Sequence, residues 1–130
     1  MSTRCLIGRK IKDNKVEYIY CHHDGYLDGV GEILKTHYTN NKIIDRLMAL
    51  GDLSALGEVA ESNPDQWEYS KVDYNLCAAY KDRGEHGVDS KIITEKEYVD
   101  KLTTNTWIEY LYLWDGEKWC YYCECKWRAV

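Results

Sequence analysis

The sequence predicts an α+β fold, a small antiparallel sheet of about five strands with two to three helices on one side of it. Three observations carry that expectation. β-rich runs stand at both ends of the chain, each folded about a turn-forming pair, Asp13-Asn14 in the first and Asp115-Gly116 in the last. Between them, apolar residues recur at helical spacing through two consecutive stretches. A length of 130 residues suits one domain with a core of its own, and no internal repeat or low-complexity tract divides it.

Residues 3–11 and 16–22 flank Lys12-Asp13-Asn14-Lys15 and read as the N-terminal hairpin. With Asp13-Asn14 as a two-residue loop, Lys10 stands opposite Glu17, Leu6 opposite Cys21 and Arg4 opposite His23, and the other face carries Cys5, Ile7, Tyr18 and Tyr20. Both faces have apolar members, so alternation leaves open which is the core, and a slip of one residue exchanges them. A glycine-spaced loop at residues 22–29 leads to Val30, Ile33, Leu34 and His37 at helical spacing, with Asp28 as the expected N-cap. Ile43, Ile44, Leu47, Met48 and Leu50 form the stripe of a second helix, which residues 39–41 open and Gly51 ends. From 52 to 73 the pattern weakens; Asn63-Pro64 marks a turn, and one helical turn is expected within 53–59. Residues 75–81 read as a central buried strand, 82–87 as a charged loop, and 94–102 as a short helix opened by a Thr94/Glu97 capping box. The C-terminal hairpin pairs 107–114 with 118–127, and any even register keeps Tyr110, Tyr112 and Trp114 facing Trp119, Tyr121 and Cys123.

The longest apolar runs fall well short of the roughly 18 residues a membrane span needs, and an overall charge of -5 argues against polymeric nucleic acid as a partner. A small anion held in a local pocket is compatible with that charge. The N-terminus has no apolar stretch of secretory length, so the six cysteines are expected to be reduced thiols in a cytoplasm rather than a disulfide framework. Twelve Tyr and five Trp accompany no Phe, so every aromatic ring carries a polar handle. Such rings suit half-buried surfaces: sheet faces, subunit interfaces and stacking platforms.

Cys120, Cys123 and Cys125, with Cys5, Cys21, His22 and His23 at the other end of the chain, invite a zinc reading. On an extended strand Cys120 points opposite to Cys123 and Cys125, so small apolar fillers among large aromatics are the better description, and no metal is expected. Cys21 and His23 share a strand face, but their spacing is long for a catalytic dyad. No nucleophile elbow, P-loop, dinucleotide fingerprint or metalloprotease helix is present, so neither a catalytic residue nor a cofactor is assigned. Two polar loops are more promising. Residues 22–29 bring together His22, His23, Asp24, Tyr26 and Asp28 ahead of a helix, and residues 80–85 supply Tyr80, Arg83 and Glu85. A ring to stack a base, a guanidinium for phosphate and a carboxylate for ribose hydroxyls are what a nucleotide requires; solvated turns have the same composition.

The opening Met1-Ser2-Thr3-Arg4-Cys5-Leu6-Ile7-Gly8, the strand ending at Cys21, His22-His23-Asp24-Gly25-Tyr26 with Gly29-Val30-Gly31, Gly51-Asp52-Leu53-Ser54 and Ala79-Tyr80-Lys81-Asp82-Arg83-Gly84-Glu85 follow in this order through most of the chain. Jointly they resemble the phage Thoeris anti-defence protein 1 family, whose pattern often has Trp where His23 stands. The resemblance implies a non-enzymatic sponge, made in the cytoplasm of an infected bacterium, that captures the cyclic ADP-ribose isomer produced by a TIR-domain defence enzyme. It also implies a homo-oligomer, dimers building to a hexamer, with the signal held between subunits and cyclic di- or trinucleotides taken by some members at separate sites. Residue type and position then make Arg4, Arg83 and Arg128 the expected phosphate contacts and Tyr26, Tyr80 and Trp107 the expected stacking planes, with His22, His23, Asp24 and Glu85 completing the ligand-binding set. A hydrolase of such a signal and a protein–protein inhibitor acting through an aromatic face are the competing readings.

Overall fold

The computed structural model describes residues 2–104 and 107–130. Its centre is the pair β1 (Cys5–Ile11) and β2 (Lys15–Cys21), antiparallel, with Cys5 opposite Cys21 and Ile7 opposite Ile19. The turn differs from the expected one. Residues 12–14 form a three-residue loop in which Asp13 and Asn14 take positive φ angles of 61° and 56° and Lys15 N–H reaches the Lys12 carbonyl. This shifts the pairing by one, so Arg9 rather than Lys10 faces Glu17, at 2.7 Å. It also sorts the side chains: Cys5 and Ile7 share a face with Ile19 and Cys21, while Leu6 and Gly8 share the other with Tyr20 and Tyr18.

Around that pair the sheet has eight strands, in the order β4-β3-β2-β1-β6-β7-β8, with β5 also on β2. It is mixed rather than antiparallel, because β6 (Tyr110–Trp114) lies parallel to β1 and β3 (Leu53–Ala55) lies parallel to β2. Three strands escaped the sequence reading. β3 replaces the expected helical turn, β5 (Lys91–Thr94) precedes the last helix, and the expected final strand is broken by positive φ angles at Glu124 and Cys125 into β7 (Trp119–Cys123) and β8 (Lys126–Ala129). The central strand shrinks to β4 (Ala78–Ala79), and residues Tyr80–Arg83 turn as a 3-10 helix. At the C-terminal hairpin the expected shared face is found, and its register sets Trp114 opposite Trp119 and Tyr112 opposite Tyr121.

α1 (Glu32–His37) follows a single π-turn at Leu27–Gly31, which places Asp28 inside the first turn instead of at the cap. α2 (Asn41–Leu50) is capped by Asn40, whose side chain accepts from Ile43 N–H at 3.0 Å. α3 (Glu95–Thr104) opens with the capping box, Glu97 N–H to Thr94 Oγ1 at 3.1 Å and Thr94 N–H to Glu97 Oε1 at 3.0 Å. The helices divide between the two faces. α1 and α2 bury Leu34, Tyr38, Ile44 and Leu47 with Ile7, Ile19, Tyr112 and Trp119; α3 buries Tyr98 with Leu6, Val16, Leu111 and Leu113. A sheet covered on both sides has no solvent face, which is why β1 runs Cys5, Leu6, Ile7, Gly8 without an exposed position.

Part of the aromatic excess lies in these cores. Tyr38 Oη donates to the Gly57 carbonyl at 2.8 Å, Tyr98 Oη to that of Tyr112 at 2.6 Å and Tyr112 Oη to that of Gly25 at 2.7 Å. Trp119 Nε1 donates to the Tyr38 carbonyl at 2.8 Å and Trp114 Nε1 to Asn41 Oδ1 at 2.7 Å. Each ring fills space while its polar atom satisfies an acceptor that burial would otherwise strand. The aromatic face of the C-terminal hairpin thus packs into the core through Tyr112, Trp114 and Trp119, with Tyr110 and Tyr121 partly buried beside them.

Candidate functional site

Two clefts open where the strand ends meet the loops, and the register of β1 and β2 decides what each contains. Carried one residue past Cys5 and Cys21, the pairing sets Arg4 beside His22, not His23. Arg4 Nε lies 3.4 Å from His22 Nδ1, and its guanidinium sits over the Trp107 indole, 4.8 Å from the ring centre. Tyr20, two residues before His22 and so on the same strand face, brings its hydroxyl within 2.7 Å of the same Nδ1. Lys101 from α3 and the apolar side chains of Leu6 and Ile108 complete a cleft of about 410 Å³. None of its described lining residues is acidic.

His22 is disfavoured as a cation. Partial burial, the neighbouring His23 ring and the Arg4 guanidinium all oppose a positive charge, and its pKa falls below the ordinary 6.5. With Nδ1 accepting, the imidazole proton sits on Nε2. Tyr20 is pushed the other way, its pKa raised mainly by burial.

His23 faces the second cleft, about 550 Å³, with Asp24, Ser54 and the rings of Trp67, Tyr69 and Tyr74. Its Nδ1 meets Ser2 Oγ at 3.0 Å, and the His22 and His23 rings stand edge to face with centres 4.6 Å apart. Gly25 pins the loop between the clefts: its N–H bonds the Thr3 carbonyl at 2.8 Å, and a Cβ there would lie 2.8 Å from Cys5 Cβ. Asp24 accepts from Tyr26 Oη at 3.2 Å, and that carboxylate raises the Tyr26 pKa. Among the described residues of this lining there is no lysine or arginine, and Asp24 is the one carboxylate. The two clefts therefore differ in sign.

The remaining expected residues lie elsewhere. Arg83 stacks on Trp67 and Tyr80, 4.2 and 5.5 Å from the ring centres, and is paired with Glu85 at 2.5 Å. Tyr80 packs against Trp67 at 5.4 Å, so one of its faces is occupied. Tyr80, Arg83 and Glu85 support the second cleft from behind Trp67 and line neither cleft. Tyr26 is 42% exposed and also outside both linings. Arg128, on β8, reaches the Cys123 carbonyl and Glu124, three strands from β1, and the structure does not bring it to either cleft.

The chain matches no known family, curated protein or solved structure.

Among the described residues no three His, Cys, Asp or Glu side chains gather as a metal would require. Cys21 aims its thiol at the His23 carbonyl, at 3.6 Å, and not at an imidazole. Of the cleft residues that the sequence reading missed, Tyr20 was within reach through strand alternation with His22. Lys101 and Trp67 carried no local signal, since each arrives from a segment distant along the chain.

Proposed function

We propose that the protein binds a cyclic ADP-ribose isomer and holds it without cleaving it. The observation that carries this reading is the first cleft: two basic side chains, Arg4 and Lys101, an imidazole with an N–H to donate, an indole face at Trp107, and no carboxylate among the described lining residues. A pyrophosphate calls for charge-assisted donors, and an adenine calls for an aromatic plane. At about 410 Å³ the cleft falls within the range of small-ligand pockets. The resemblance to the Thoeris anti-defence sponges supplies the biological setting: a phage protein sequestering the product of a bacterial TIR-domain enzyme in the host cytoplasm, as a homo-oligomer of dimers building to a hexamer. The second cleft has no cation of its own, so a cyclic di- or trinucleotide bound there would draw its phosphate contacts from a neighbouring subunit.

Titration calorimetry with cyclic ADP-ribose isomers, followed by denaturation and chromatography of the released ligand, tests the reading. Saturable binding with intact ligand recovered is the expected result. A linear product identifies a hydrolase instead, and the absence of binding by every isomer overturns the proposal.

A further inference from the structure

The contact between Arg4 and His22 is arranged in a way that an anion would disturb. His22 Nδ1 is approached by two donors, Arg4 Nε at 3.4 Å and Tyr20 Oη at 2.7 Å, although a neutral imidazole nitrogen offers one lone pair. A protonated ring has none to offer. If Nδ1 carried a hydrogen, Tyr20 would have to rotate its hydroxyl and accept, which a phenol does readily; Arg4 has only donors and would have to leave. The imidazole therefore holds Arg4 Nε toward β2, beside the Tyr20 hydroxyl, which also takes a hydrogen bond from the Arg4 guanidinium.

We infer that His22 takes up a proton from solvent as an anion enters the first cleft, and that this protonation turns Arg4 from the imidazole onto the ligand. The inference rests on the first cleft being the anion site. The balance is simple: solvent gives one proton to Nδ1, the Arg4 Nε to His22 hydrogen bond breaks, the imidazolium donates to Tyr20 Oη, and Arg4 donates to an anionic oxygen. Every charge that faces His22 fits this sequence. Arg4 ahead of β1 and His23 beside it on the chain oppose its protonation, Lys101 on α3 lines the same cleft, and no described carboxylate lines it to offset them. The Tyr20 hydroxyl, with Tyr80 behind it, contributes no charge in its protonated form. An entering polyanion supplies the missing negative charge to all of these groups together, so the imidazole gains a proton only when the ligand is present. His22 is a positioning residue in this account, acting through Arg4.

The sign follows from linkage. The complex binds more protons than the free protein in the window between the two His22 pKa values, so affinity falls as pH rises through that window, by up to about tenfold per pH unit, and is level on either side. The experiment is calorimetry with inorganic pyrophosphate and with cyclic ADP-ribose, between about pH 5.5 and 8, in two buffers of different ionisation enthalpy. Up to one proton is expected per site, with a sloping affinity; His22→Gln, which keeps an acceptor for Tyr20 and cannot titrate, is expected to bind with no proton uptake and no slope. Long-range nitrogen–proton NMR of His22 in the unmutated protein reads the ring directly, with the hydrogen on Nε2 alone when empty and on both nitrogens when bound. Cyclic ADP-ribose binding without proton uptake, or uptake that survives in His22→Gln, overturns the inference and leaves the sponge reading standing. Pyrophosphate binding with His22-dependent uptake, but no binding of cyclic ADP-ribose, supports the inference and removes the sponge reading. Failure of both probes to bind overturns both.

Discussion

Arg4 and Arg83 are both arginines stacked on a tryptophan, yet their surroundings give them opposite prospects as ligand contacts. Arg83 already has Glu85 at 2.5 Å, so recruiting it to a phosphate means breaking an ion pair; Arg4 lies instead against His22, Tyr20 and Trp107, none of them a carboxylate. Arg4→Ala is accordingly expected to weaken cyclic ADP-ribose binding about ten- to a hundredfold, the loss of one charge-assisted contact, while Arg83→Ala changes it by no more than about twofold. Equal losses in calorimetry would shift the site toward the second cleft. The thiols make a separate prediction. Burial raises the pKa values of Cys5, Cys77 and Cys120, whereas Cys125 is exposed. A mass-resolved labelling reagent should modify Cys125 first, Cys123 more slowly, and the four buried thiols only on unfolding.

The outer edge of β2 is shared by two strands, and that sharing needs a filler. β5 pairs with residues from Lys15 to Tyr18 and β3 only at Cys21, which leaves Tyr20 N–H in the gap; Asp52 Oδ1 accepts from it at 2.9 Å. The Asp52 backbone extends the bridge, its N–H bonding the Val88 carbonyl and its carbonyl accepting from Tyr80 N–H. Removing the side-chain acceptor in Asp52→Ala strands the Tyr20 amide and is expected to cost about 1–3 kcal/mol in a denaturant titration. Burial raises the Asp52 pKa despite the Tyr20 amide and Lys91. A carboxyl whose folded-state pKa exceeds its unfolded value binds more protons when folded, so its contribution to stability is greatest below the ordinary 3.8 and declines as pH rises to the folded-state value. Asp52→Asn should remove that decline, and a stability profile unchanged by the substitution would rule the effect out.

At the scale of the molecule, Tyr38 and Tyr98 hold the two layers of helices to opposite faces of one sheet. Tyr38→Phe and Tyr98→Phe each leave a buried carbonyl without its donor, expected to cost about 1–3 kcal/mol, and because the two cores are separate the double variant should lose the sum. Non-additivity in denaturant unfolding would mean that the cores communicate through the sheet. Features governed by local chemistry were legible in the sequence: a cap within residues 39–41, the Thr94/Glu97 box and the shared face of Trp114 and Trp119 were all read from neighbouring residues. What was not legible depended on partners far along the chain. β3, β4 and β5 have two to four residues each, too few to display a period, and they are strands only because β2 and β3 supply edges for them. The slip at residues 12–14 had a large effect from a small cause, since it moved Arg4 from His23 to His22 and so decided which ring shares a cleft with the arginine.

The distribution of the five indoles has an optical consequence. Trp114 and Trp119 are 4% exposed, whereas Trp107 is 64% exposed under the Arg4 guanidinium, and Trp67 lines the other cleft. Emission should therefore resolve into a blue component from the core and a red, iodide-accessible component dominated by Trp107. A ligand seated on Arg4 and Trp107 should shield the red component alone, while one in the second cleft should act through Trp67, so the unlabelled protein reports by colour which of these two clefts has been filled.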